Sequence, residues 1–98
     1  GKIMNQKFNK ALYLLDKGKY NDGLELLKAA FDEVDNTYEK LEIKSCTMEV
    51  YYELKEFEKT KECIKYILNN TSEYDDSAPR ETALEIAEEM GHNIKDFV

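Results

Sequence analysis

The sequence has no tryptophan, one histidine, one proline and only two cysteines among its 98 residues. With His92 the sole imidazole, no HExxH pair can form. No CxxC, GxSxG or phosphate-cradling glycine loop occurs either, so the sequence-readable routes to hydrolysis, redox exchange and phosphoryl transfer are missing. Cys46 and Cys63 with His92 are too few ligands, at unsuitable spacing, for zinc. Asp75-Asp76 lacks the glycine and distal glutamate of a calcium loop. No metal, cofactor or catalytic residue is therefore expected, and the chain reads as a non-enzyme. Apolar runs extend only a few residues, too short to span a bilayer. The polar N-terminus, GKIMNQKFNK, lacks the apolar core of a secretory signal. Met4 is the expected natural start, the compartment expected is the cytoplasm, and both cysteines are expected as reduced thiols on helices that pack together. Basic residues are also few: 14 Lys and Arg against 21 Asp and Glu, a net charge of −7. That balance excludes a nucleic-acid surface, which needs a basic stripe. It suits a basic protein partner, although acidity is also an ordinary solubility feature.

What is present is helical periodicity. The composition, 42% hydrophobic and 36% charged, is too apolar for a disordered tail and is that of one folded domain. Phe8, Ala11, Leu12 and Leu15 keep the spacing of one helical face, and Gly18 then supplies a helix-closing residue. Tyr20, Leu24, Leu27, Ala30 and Phe31 resume that spacing, so Ala11 to Phe31 reads as a helical hairpin. The layout recurs from Met48 to Leu68. Placing Tyr20 on Phe57, an offset of 37 residues, pairs Asp16 with Glu53, Leu27 with Ile64, Lys28 with Lys65, Ala30 with Ile67 and Phe31 with Leu68.

Helix one is expected from Met4 to Lys17 and helix two from Lys19 to Val34. Gly23, inside helix two, implies a neighbouring backbone passing close by. Asn36 with Glu39 has the spacing of a capping box opening helix three, which runs to Leu54 and exceeds helix one by about a turn. The break at Lys55-Glu56 has no glycine and is inferred from the repeat alone. Helix four ends near Asn69-Asn70, and Asn69 to Pro79 is irregular. Asp76 or Ser77 caps helix five, Pro79 sits in its first turn, and Gly91 stops it. Ala83, Leu84, Ala87 and Met90 form its apolar face. The tail, with Ile94, Phe97 and Val98, is expected to fold back over the end of the stack.

Two helical hairpins at a period in the thirties, with a closing helix, resemble the tetratricopeptide-repeat (TPR) family. Gly18-Lys19-Tyr20, Gly23, Leu27 and Ala30 match the family's second helix. Tyr51, Phe57, Thr60, Ile64 and Ile67 carry the match in the second repeat, and Ala83 to Gly91 echoes Ala11 to Gly18. The departures are the longer period, the missing proline at each repeat end, and Lys44 where a large residue would stand. The resemblance implies an all-α fold of right-handed antiparallel helical-hairpin repeats. Repeat one would span about residues 4–34, repeat two about 37–70, and a C-terminal capping helix with its tail about 77–98.

The polar faces point to a binding surface. Glu42, Ser45, Glu49 and Glu53 recur every three or four residues on helix three, as do Glu81, Glu85, Glu88 and Glu89 on helix five. Asn9, Tyr13 and Asp16 occupy the outer face of helix one. In a TPR array the first helix of each hairpin lines the concave side, which would set these stripes next to one another as an acidic groove. Tyr13, Tyr52 and Tyr74 would be its aromatic anchors. The partner-binding set expected is Tyr13, Asp16, Glu42, Glu49, Tyr52, Glu53, Glu85 and Glu89. The family's clamp for a peptide C-terminal carboxylate needs Lys and Asn on those faces and is not expected here. The alternative reading is ordinary solvated helix faces, with the tyrosines partly in the core. Function is thus expected to be non-catalytic binding of a basic protein, with no nucleic acid or membrane partner, by a monomer or weak homodimer. A small acidic protein of this kind suits the neutraliser of a basic toxin or nuclease, as immunity proteins and antitoxins often are. The alternative from another class is a self-associating repeat or a piece of a longer solenoid.

Overall fold

A computed structural model describes residues 5–98. Among them the chain is all-α: α1 Gln6–Asp16, α2 Tyr20–Glu33, α3 Thr37–Glu53, α4 Phe57–Asn69 and α5 Ala78–Glu89, closed by a 3-10 turn at Ile94–Asp96. The expected start at Met4 lies outside the described residues. No helix among those described is long and apolar enough to cross a membrane.

The repeat is visible in the backbone. α2 and α4 begin 37 residues apart, at Tyr20 and Phe57, and α1 and α3 end at the same offset, at Asp16 and Glu53. After α1 the Gly18 N–H bonds the Leu15 carbonyl and the Lys19 N–H bonds that of Leu14, at 3.0 and 2.9 Å. After α3 the Lys55 and Glu56 N–H groups do the same to Tyr52 and Tyr51, and after α5 those of Gly91 and His92 to Glu88 and Ala87. Each is the paired Schellman closure, which needs a left-handed residue just past the helix. Gly18 (φ 78°) and Gly91 (φ 81°) supply it without strain, whereas Lys55 adopts φ 63° with a side chain attached. The break lacking a glycine is therefore the same turn built from a less suitable residue.

The other helix ends depart from expectation in detail. Asn36 Oδ1 accepts the Glu39 N–H at 3.1 Å, but the Glu39 side chain does not return the bond, so the expected capping box is half made. Asn5 caps α1 through the Phe8 N–H at 3.0 Å. Ser77 occupies the cap position of α5 but makes no side-chain cap bond, with Pro79 in the first turn as expected.

α3 sits at the centre, packed on α2, α4 and α5, while α1 packs chiefly on α2. It buries two opposite sides. Ile43 joins Ala11, Leu27, Ala30 and Val34 in one cluster, and Leu41 and Met48 join Ile64, Ile67, Ala83 and Ile86 in another. Leu27 and Ile64, equivalent in the repeat, are both fully buried, as are Ala30 and Ile67; each of the leucine and isoleucine side chains contributes about 1.5–3 kcal/mol by leaving water. α3 and α4 pack together, but their thiols do not meet. Cys63 belongs to the second cluster and Cys46 borders the first; both are free.

Gly23 differs from expectation. A Cβ there would lie 2.6 and 2.7 Å from Cδ2 and Cγ of Leu15, with the nearest backbone atom, the Ala11 carbonyl oxygen, at 3.5 Å. A side chain of α1, rather than its backbone, needs the space. On α5 the buried residues are Pro79, Arg80, Ala83, Ile86 and Ala87, while Leu84 and Met90 are only partly covered. Arg80 is buried, donating from Nη1 to Thr71 Oγ1 at 2.9 Å and tying α5 to the irregular segment. In the tail Phe97 is buried, whereas Val98 is exposed; Asn69 Nδ2 holds the Phe97 carbonyl at 3.2 Å.

Candidate functional site

At 100° per residue, Glu42, Ser45, Glu49 and Glu53 fall within a narrow strip of α3, between the two lines that enter the core. Glu49 and Glu53 are exposed, and Glu42 is half-buried. α5 packs directly on α3 and turns its own acidic residues outward: Glu81, Glu85, Glu88 and Glu89 are all exposed. Glu85, Glu88 and Glu89 line a shallow concavity. Tyr52 links the two helices, its hydroxyl donating to Glu89 Oε1 at 2.9 Å. The bond to that carboxylate raises the tyrosine pKa above its ordinary value.

Although Glu49 is exposed as a whole, desolvation by the atoms packed around its carboxyl pushes that group up from its usual range, because the charged form loses hydration. Glu42 accepts a bond from the Tyr38 hydroxyl, which raises that phenol as well. Lys61 and Glu58 pair at 2.7 Å on α4. No lysine lies on the acidic strip of α3 or anywhere on α5.

The set expected from sequence thus divides. Tyr52 of α3 and Glu89 of α5 are brought into contact; Glu42, Glu49 and Glu53 share one strip of α3, and Glu85 lies with Glu89 on the exposed side of α5. Tyr13 and Asp16 are exposed on α1, whose packing partner is α2, and the Tyr13 ring faces the Lys17 ammonium at 5.5 Å. Tyr74, 88% exposed, stands apart on the segment after α4.

One further aromatic belongs here. Phe57, the first residue of α4, is 45% exposed and lies 6.1 Å from the Tyr52 ring. With Lys61, Glu89, Met90 and His92 these rings border a recess of about 280 Å³ beside the acidic face. The repeat alignment pairs Phe57 with Tyr20, which is half-buried. The five-residue distance of Phe57 from Tyr52 across the turn was the available signal for a surface pair.

His92 Nδ1 lies 3.2 Å from Asp96 Oδ2, and Asn93 and Asp96 form a capping box around the terminal turn. Among the described residues no group of three His, Cys, Asp or Glu side chains is placed to hold a metal ion. The chain matches no protein-family model, no curated protein and no solved structure.

Proposed function

We propose that this chain is a TPR-like helical-repeat module whose role is to bind a basic protein through the joined acidic face of α3 and α5. The observation that carries the reading is the Tyr52–Glu89 bond. It joins two helical stripes of carboxylates, neither of which carries a lysine of its own. A cationic partner surface would gain counter-charges there and would reach the face quickly, since complementary fields raise association rates most. Phe57 and Tyr52 supply the apolar contact that charge alone lacks, and aromatic side chains are the usual anchors of such interfaces. Neutralisation of a basic toxin or nuclease, in the manner of immunity proteins and antitoxins, is the role that fits a small acidic binder best. The reading includes no catalytic step and a cytoplasmic setting.

The test is charge reversal. Glu49→Lys with Glu53→Lys should abolish capture of the partner while leaving the helical circular-dichroism spectrum unchanged. Undiminished binding by the reversed protein would sink the reading.

A second reading is favoured by Leu12 and Tyr13, 42% and 61% exposed on α1. α1 packs chiefly on α2, and its outer side is where another hairpin would stack in a solenoid. Sedimentation across a concentration series separates the two. A monomer down to low concentration leaves the acidic face as the interface, whereas association that Leu12→Glu disrupts supports stacking.

A further inference from the structure

The opposite side of α3 carries different chemistry. Lys44, Thr47 and Tyr51 lie about half a turn away from the acidic strip. Between α2, α3 and α4 they border a cleft of about 380 Å³, within the range of roughly 300–1,000 Å³ occupied by small-molecule sites. Leu24, Leu27 and Phe31 of α2 and Tyr51 of α3 form its apolar wall. Each of the three helices adds one ammonium group to it: Lys28, Lys44 and Lys59.

These cations lack the counterions an acidic chain could readily give them. Among the described residues none of the three has a carboxylate oxygen within 4.0 Å, although Asp32 and Glu62 also border the cleft. Aromatic faces hold two of them. Lys44 Nζ lies 4.2 Å from the Phe31 ring centre and 5.2 Å from that of Tyr66, and Lys59 Nζ lies 5.5 Å from Tyr51. A ring face attracts an ammonium group without neutralising it or using its N–H donors. Lys44 thus fills the place of a large repeat residue with its stem and delivers a free charge to the cleft.

We propose that this cleft binds a small organic anion, a carboxylate carried on an aromatic or branched aliphatic body. The charged end would lie among Lys28, Lys44 and Lys59, and the body against Phe31, Tyr51 and Leu24. A single negative charge suits the site. A bare phosphate would leave the apolar wall unused and would meet Asp32 and Glu62 with two charges. The lysines act as separate point charges, without the planar fork by which arginine grips phosphate. The site lies on the side of α3 opposite the acidic face and does not depend on the protein-binding reading.

The test is a heteronuclear NMR titration of the isotope-labelled full chain with phenylpropionate, and in parallel with its neutral amide. Saturable shifts from the acid at Leu24, Phe31, Lys44, Tyr51 and Cys63 are expected, with the amide ~10-fold weaker, one charge-assisted contact's worth. Lys44→Met keeps the stem over the rings and should weaken the acid at least ~5-fold. If that variant loses its helical spectrum, Lys28→Met, at an exposed position, carries the same expectation. Equal binding of acid and amide, shifts confined to the α3–α5 face, or no saturation would overturn the proposal. So would shifts that follow protein concentration alone, which would mean that a second copy fills the cleft.

Discussion

Replacing Lys55 with glycine should make the protein more stable, the reverse of what glycine does inside a helix. Lys55 holds φ 63° in the Schellman turn that closes α3, where a residue with a Cβ is strained by ~1–2 kcal/mol. Glycine removes that strain but loosens the unfolded chain, which costs about 0.4–1 kcal/mol. The Lys55 side chain is exposed and makes no hydrogen bond or ion pair, so little else is lost. The net gain is about 0.5–1 kcal/mol, or roughly 3–6 °C in Tm for a chain of this length. Urea and thermal unfolding followed by far-ultraviolet circular dichroism would read it. The reverse changes complete the test. A Cβ at Gly18 or Gly91 would meet nothing within 4 Å, so Gly18→Ala and Gly91→Ala report backbone strain less the same unfolded-chain effect and should each cost about 0.5–1 kcal/mol. A destabilised Lys55→Gly, or a neutral Gly18→Ala, would refute the equivalence of the three turns.

Other outcomes follow from the packing. Gly23→Ala should destabilise the wild type, because the new methyl enters the space of Leu15. In a Leu15→Ala background it should stabilise by about 1 kcal/mol through helix propensity, and a double-mutant cycle of urea midpoints would show the coupling. Arg80→Met should cost about 1–3 kcal/mol, read as a lower urea midpoint, by removing a charged donor from the Thr71 hydroxyl, which keeps its own bond to the Ile67 carbonyl. Burial pushes both thiols from an ordinary value near 9 up to about 11. The folded chain therefore keeps protons that the unfolded chain releases between these values. The stability contributed by the thiols is present below pH 9 and is lost as pH rises through 11. Thiolate absorbance should titrate near 11 in the native protein and near 9 in urea; a native titration near 9 would contradict the burial of Cys63.

The all-α class and the five helices were legible because period and punctuation agreed. Gly18, Gly91 and Pro79 stand at helix ends, and Tyr20 and Phe57 both open helices. α3 was harder to read, since a helix buried on two sides has no single apolar face. Ile43 and Leu41 point to different clusters, and the polar residues between them look alike in sequence whether they join α5 or border the cleft. Arg80 was illegible because a charged residue enters the core only where Thr71 waits, on a segment with no periodicity. The acidic stripes of α3 and α5 could be read residue by residue, whereas their adjacency and the part played by Phe57 depend on how α5 packs.

The acidic face is tested most directly by capture from the native lysate with two baits, the wild-type chain and Glu49→Lys/Glu53→Lys, each washed at low and then high salt. One basic protein should be held by the wild type, released by salt and missing from the reversed bait, with crosslinks falling on α3 and α5. The same protein held equally by both baits, or crosslinked to α1 and α2, would contradict it.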